Sequence, residues 1–285
     1  MSYVSILPGE LNPIETNALL CGGVAPRPIA LASTLSAAGV RNLSPFSFFN
    51  AFGSNPPTVA FAPNRRGRDG TLKHTYLNAV ATGEFVLAAV SHAMLHQMNL
   101  ASAEWPDGVD EFPKCGLMPV RARFVKPALV EESPFQMECR LQQVVELGRG
   151  PGSGLMLIGE VLAFRVREDC FFEGSLHPEL LDLVGRNGGA FYTRASGAAL
   201  FEVPKPATTP LGYDALPEAL KRSHVLTGND LGQLANSPAL PDLSAAVPRP
   251  GDPVSPAGVD HAIRRALSVP NLAEAWRLVG LRLRL

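Results

Sequence analysis

The sequence of 285 residues is short of most features that assign a function at sight. It has only four cysteines, Cys21, Cys115, Cys139 and Cys170, widely spaced and with no CxxC pair. That spacing argues against a disulfide framework or a zinc site, and the four read as reduced, packed thiols. Net charge is nearly absent: 25 Lys and Arg oppose 26 Asp and Glu, leaving −1 at neutral pH. Such a balance gives no basic footprint for nucleic acid or an anionic membrane. The densest basic run, Arg65-Arg66-Gly67-Arg68, is too short for a nucleic-acid tract and reads as a solvated loop. Long apolar runs are missing too; Phe85–Val90 falls far below the roughly 20 residues of a membrane span. The opening MSYVSILPGELNPIETN has no basic stretch followed by an apolar core, so no secretory signal is expected and the protein is read as soluble and cytoplasmic. There is no GxGxxG and no GxxxxGK[ST]. The glycine run Gly148–Gly154 has no helix after it and reads as a hairpin tip.

What is present is a core-forming chain with β patterning. Hydrophobic residues make up 46% and mean hydropathy is +0.10, enough to bury a substantial core. Asn12-Pro13 suits the start of a helix near Ile14–Leu20. Pro28–Leu35 is a β-type run, Ser36–Gly39 a turn, and Val40–Ser44 its return, which predicts a hairpin over about 28–44. Thr58–Ala62 reads as a buried strand, Thr71–Ala81 as a helix closed by Gly83, and Phe85–Val90 as a strand. His92–Leu100 reads as a short helix with Ser91 at its cap, and Ala101–Gly116 as an acidic irregular loop. Val120–Val125 alternates, and Phe135–Leu147 pairs with Leu155–Arg167 as a long hairpin. The expected fold is mainly β with peripheral helices, an antiparallel barrel.

Beyond Gly197 the composition shifts to proline, glycine and alanine. A boundary is expected near 203, giving a domain over 1–203 and a Pro-rich, partly helical extension over 204–285. Asp214–Lys221, His261–Leu267 and Leu272–Leu278 are its helical candidates, and Pro248–Gly258 reads as a linker or disordered loop. The extension is thin in β-branched and aromatic residues, so it is expected to drape over the first domain or a partner subunit instead of forming its own core.

Arg27–Asn50 gathers hydroxyls, an amide and phenyl rings, a mixture suited either to a ligand with a flat ring and an anionic end or to a buried hairpin whose hydroxyls satisfy their own turns. The ordered segments Arg27-Pro28-Ile29-Ala30-Leu31-Ala32-Ser33-Thr34, Asn42-Leu43-Ser44-Pro45-Phe46-Ser47-Phe48-Phe49 and Pro56-Pro57 resemble flavin reductase-like proteins with an FMN-binding split β-barrel, closest to the flavoredoxin-like branch. Lys73-His74-Thr75, Asn78, Thr82–Val86, Asp110-Glu111-Phe112, Cys115-Gly116-Leu117, Glu138-Cys139 and Gly185–Gly189 with Tyr192 extend the likeness over roughly residues 15–195.

The resemblance implies a homodimer holding FMN non-covalently near the subunit interface. It implies that Ser33 and Thr34 contact phosphate or ribityl, that Asn42, Leu43 and Ser44 run beside the ring, and that Ser47 and Phe48 line the ribityl side. Lys73 and Thr75 match the family's Lys-Asp-Thr phosphate contacts, and a cation at a helix N-terminus suits a phosphate on physical grounds as well. His74 stands in place of the usual Asp, and Asn187 follows Arg186 where an apolar residue is usual; Arg186 is left between flavin, nicotinamide nucleotide and an acidic loop. The implied chemistry is hydride transfer from NAD(P)H to flavin N5, with electrons passed to an acceptor protein or oxygenase, or with reduced flavin leaving as product. No side-chain nucleophile or base is required. His96 and His177 are proton donors in principle, and Cys115 reads as a packed thiol. The alternatives are a non-catalytic FMN-binding electron carrier and a barrel that has lost its flavin and serves as a binding module.

Overall fold

The hairpin expected over 28–44 forms and organises a sheet around itself. In the computed structural model, which describes residues 2–206, 208–269 and 271–285, strand β1 (Ala30–Leu35) pairs with β2 (Arg41–Phe46) from Ala30 opposite Phe46 to Leu35 opposite Arg41. Gly39 sits in the turn with φ +81°, a conformation that favours glycine. Five further strands complete the sheet: β3 (Phe49–Ser54), β4 (Pro57–Phe61), β5 (Glu84–Ala89), β6 (Phe135–Glu146) and β7 (Leu155–Val166). Their order is β2-β1-β5-β6-β7-β4-β3, and every pair is antiparallel.

The two edges of this sheet, β2 and β3, are consecutive in the chain and are joined only by Ser47 and Phe48. The chain thus crosses from one edge to the other without pairing them, and the first unit is a split antiparallel barrel with peripheral helices. Period-two alternation divides its apolar residues between two cores. Ala30, Ala32, Phe61, Phe85, Leu87 and Leu157 pack on one side, with the Phe61 ring 5.5 Å from Phe46 and 5.2 Å from Phe85. Leu31, Leu43, Val90, Met98 and Phe112 pack on the other.

The helices of this unit are α1 (Pro13–Gly23), capped by Asn12, then α2 (His74–Thr82), α3 (Leu95–Leu100), α4 (Glu111–Cys115) and α5 (Pro178–Leu181). Several boundaries differ from expectation, most of them because a side chain captures backbone groups. The helix expected from Thr71 begins at His74, since Asp69 accepts the Thr71 N–H at 2.9 Å and Arg66 Nη1 donates to the Leu72 carbonyl at 2.6 Å. The strand expected over Val120–Val125 reduces to Pro119–Val120 paired with Leu129–Val130; the buried Glu138 carboxylate takes the Arg123 and Phe124 N–H groups at 3.1 and 2.5 Å. Ser91 bridges to Leu183 and makes no cap, and a 3-10 turn, His92–Met94, precedes α3. The loop expected over Ala101–Gly116 contains α4, capped by Asp110.

The chain divides into two compact units, Met1–Phe201 and Glu202–Leu285. The second unit has a core of its own, against the expectation that it would form none. Leu and Ala at helical spacing do the work that β-branched residues would do in a sheet. Helices α6 (Glu218–Lys221), α7 (Gly228–Ala235), α8 (Pro256–Ser268) and α9 (Leu272–Arg282) bury Leu220, Leu234, Val259, Ile263, Trp276 and Val279 together. The segment read as a linker is held: Ser255 caps α8, and Asp252 accepts two hydrogen bonds from Arg277 at 2.7 and 2.8 Å. Among the described residues no helix is long and apolar enough to cross a membrane.

Gly159 of β7 explains itself by packing. A Cβ there would lie 3.2 Å from the Arg140 carbonyl and closer still to the Phe85 ring, beside a bulge between β7 and β6. Gly159→Ala is expected to cost about 1–3 kcal/mol in a denaturant melt by forcing Phe85 off its seat; an unchanged midpoint would show that this core yields freely.

Candidate functional site

The site grows from the first hairpin's return strand. Asn42 on β2 is buried, and its amide is the centre of a hydrogen-bond network. Its Oδ1 accepts the Thr34 hydroxyl from β1 at 3.1 Å and the Thr75 hydroxyl from α2 at 2.7 Å. Its Nδ2 donates to Glu111 Oε1 of α4 at 2.9 Å, while the neighbouring Leu43 N–H donates to Glu111 Oε2 at 2.9 Å. Asn78 Nδ2, one turn into α2, donates to Thr34 Oγ1 at 3.2 Å. Four elements are thereby locked around one amide, with every partner's geometry in the hydrogen-bond range.

A cleft opens over this network, lined by Asn42, Ser44, Arg66, Lys73, Thr75 and Glu111, with His74 and the segment Ser102–Trp105 completing its wall. Lys73 is half-buried at the start of α2, its ammonium 5.0 Å from the centre of the Phe46 ring. Burial, and then the nearby Arg66, hold the Lys73 ammonium below its ordinary value, with Glu104 acting the other way. Arg66 is half-buried as well, which corrects its reading as part of a solvated loop; it lies 3.9 Å from Glu104 and braces Thr71 and Leu72. No side chain caps α2. Two cations and an uncapped helix N-terminus converge where an anion would relieve both the charge crowding and the unpaired N–H groups.

A second cleft shares Ser102 with the first and continues it past Pro45, Phe46 and Ser47 to Arg186 and Tyr192. The Arg186 guanidinium lies 4.6 Å over the Tyr192 ring and donates to the Gly189 carbonyl at 2.6 Å. Ser47 accepts from the buried Arg27 at 3.2 Å, and Arg27 also donates to the carbonyls of Cys21 and Val24, both at 2.6 Å.

Of the residues expected to meet a ligand, Asn42, Ser44, Lys73 and Thr75 line the first cleft and Ser47 and Arg186 the second. Ser33 and Thr34 are wholly buried, and Leu43 contributes its N–H to Glu111. Phe48 lies under the Arg27 guanidinium at 5.8 Å. The Thr75 hydroxyl is spent on Asn42, so at this helix start the free donors are backbone N–H groups and Lys73. Arg66, Glu104, Trp105 and Glu111 are additional wall residues. For Glu111 the DEF segment was a sequence signal; for Arg66 only its closeness to Lys73 in the chain was.

Burial pushes the Glu111 carboxyl up from its ordinary value, while the bonds from Leu43 and Asn42 pull it back. Cys115 is buried with its thiol pushed up to about 11, first by burial and then by Glu111, so it is a poor nucleophile. His74 Nε2 is 3.9 Å from Asp107, at the cleft rim. His96 is exposed, and His177 packs its ring 5.6 Å from Phe172; neither lines the cleft. No group of three or more metal-ligating side chains occurs among the described residues.

Comparisons with known proteins agree with this geometry. The profile of the flavin reductase like domain matches residues 23–185. An uncharacterized protein of Deinococcus radiodurans is 40% identical over 178 residues, covering 60% of this chain and 76% of its own. Component B of nitrilotriacetate monooxygenase from Bacillus cereus is 30% identical, covering 71% of this chain and all (100%) of that one, with a TM-score of 0.67. The 2-nitrobenzoate 2-nitroreductase NbaA of Pseudomonas fluorescens is 25% identical, covering 72% of this chain and all (100%) of that one, with a TM-score of 0.63. The match over residues 23–185, more than half of the sequence, places the chain in the flavin reductase like domain family, among flavin-related oxidoreductases.

Proposed function

We propose that this chain is an FMN-binding oxidoreductase that takes electrons from NAD(P)H and delivers them to a second acceptor, an electron-acceptor protein or an oxygenase. The observation that carries the reading is the uncapped start of α2 with Lys73 and Arg66 in one cleft. That donor set fits a phosphate: two fixed cations, free N–H groups and the positive end of a helix. The polar line through Ser44, Ser102 and Ser47 suits a ribityl chain, and Phe46, Trp105 and Tyr192 offer faces for a flat ring.

Bound FMN would supply the two-electron hydride chemistry. The chain's own tasks are then holding and shielding. Lys73 and Arg66 hold the phosphate, the β2 edge at Asn42–Ser44 borders the ring, and Arg186 over Tyr192 offers a cation to the anionic part of a nucleotide donor. Component B of a monooxygenase among the related structures supports an oxygenase as the acceptor. A homodimer is supported by α1, which buries no residue while Ile14, Leu19 and Leu20 stand 82%, 50% and 53% exposed.

Under anaerobic conditions the FMN-loaded protein is expected to lose its flavin absorption on adding NADH or NADPH. Retention of colour with both nucleotides, together with bleaching by a reduced partner protein, would instead mark an electron carrier. Sedimentation should give twice the 30.3 kDa chain mass; a monomer would remove the dimer reading. Lys73→Ala should weaken FMN binding to the apoprotein by roughly tenfold to a hundredfold, the worth of one charge-assisted contact. The pH dependence has a definite sign. The Lys73 value is depressed below 10.5 in the free protein, and a phosphate dianion raises it. Binding therefore takes up a proton between the two values, and FMN affinity should fall as pH rises through the alkaline range in which the depressed Lys73 ammonium of the free protein loses its proton. A flat profile, or one that Lys73→Ala leaves unchanged, would count against Lys73 as the phosphate contact.

A further inference from the structure

Resting on the flavin reading above, we propose that Glu111 is a positioning residue that sets the flavin site through Asn42. The argument is one of hydrogen-bond polarity. A threonine hydroxyl can donate or accept, and an amide can present either end, so Thr34, Thr75 and Asn42 alone do not fix which way their bonds run. When ionised, the Glu111 carboxylate only accepts. It takes the Leu43 N–H on Oε2 and therefore the nitrogen end of Asn42 on Oε1. That turns the Asn42 oxygen toward the two hydroxyls, and both donate to it. Thr34 is then free to accept from Asn78. A single carboxylate on α4 thus orients a chain of bonds through β2 and β1 into the first turns of α2, the element that presents the cleft's phosphate-binding end. In this arrangement Asn42 is scaffold: its oxygen and one amide hydrogen are committed inside the fold.

Glu111 is 4% exposed, and its carboxylate pays for its burial, as its raised value shows. Its burial is offset by the pair of hydrogen bonds it accepts from Leu43 and Asn42, which orient the cleft wall.

The network can be inverted to test this. In Glu111→Gln the amide can accept from Leu43 with its oxygen but must offer nitrogen to Asn42. Asn42 then has to turn over, and Thr34 faces two donors. In Asn42→Asp two carboxylates confront each other. The double variant, Glu111→Gln with Asn42→Asp, restores every bond: the carboxylate introduced on β2 would accept both hydroxyls and the new amide, while the amide oxygen accepts Leu43. FMN is titrated into the full-length apoproteins by flavin fluorescence, with circular dichroism melts alongside. Each single variant is expected to bind FMN about tenfold or more weakly, and the double variant to return within roughly threefold of wild type. Titrations run well below each variant's melting midpoint, where every variant is folded, separate a loss of FMN affinity from the loss of stability that the mismatched bonds cause; a purely structural role would leave the affinity of the folded protein unchanged. If Glu111→Gln does not fold, recovery of folding and FMN affinity in the double variant still supports the assignment. Wild-type affinity in Glu111→Gln, or a double variant that folds but binds no better than the singles, overturns it. Wild-type protein that takes up no FMN removes the flavin reading itself and this assignment with it.

Discussion

The buried amide of Asn42 is the constraint on which the cleft depends. An asparagine with 7% exposure is tolerated in a core only if both ends of its amide are paired, and here both are. The pairing ties the β1–β2 hairpin to α2 and α4, which stand far from it in the sequence. Because leaving a buried amide unsatisfied costs more than a hydrogen bond gains on balance, the four elements tend to keep their spacing together or lose it together. The cleft is the outer surface of this joint: β2 forms its floor, α2 begins at one end, and the residues before α4 form its wall.

The split in the barrel gives that joint an open side. Edge strands β2 and β3 are continuous through Ser47 and Phe48 without pairing, so the backbone leaves a seam where a closed barrel would have a ladder. The link and its flanking residues, Phe46-Ser47-Phe48-Phe49, are aromatic or hydroxylic. The charges beside it are cations held by carbonyls, hydroxyls or ring faces: Lys73 over Phe46, Arg186 over Tyr192, and Arg27 on Cys21, Val24 and Ser47. The acids that do reach the first cleft, Glu104 and Glu111, are engaged with Arg66 and with Asn42 and Leu43. Positive charge without a matching carboxylate is costly to hold half-buried, and it is the natural complement of a bound anion.

Much of this was legible in the residues. The hairpin of β1 and β2, the long hairpin of β6 and β7, and Gly83 as the stop of α2 follow from period-two patterning and turn chemistry. The cleft residues Ser44, Lys73 and Arg186 followed from their place in ordered motifs. Most of what was hidden in the first unit shares one cause. Asp69, Glu138 and Glu111 use carboxylates to capture backbone N–H groups, at Thr71, at Arg123 and Phe124, and at Leu43 respectively. Such captures shift a helix start, break a strand and reassign a hydroxyl, and no local propensity records them. The second unit departs from expectation for a different reason: its core is built from leucine and alanine on short helices around Trp276, and composition alone makes that look too thin to pack.

The central claim is that the start of α2, with Lys73 and Arg66, receives the phosphate of a flavin whose ring lies along the β2 edge. A crystal structure of the full chain with FMN tests it most directly. The account predicts phosphate oxygens within hydrogen-bond distance of Lys73 Nζ and the first N–H groups of α2, with the Asn42 amide still directed to Glu111 and the two threonines. A phosphate seated against Arg186, with the start of α2 free of ligand, would contradict it.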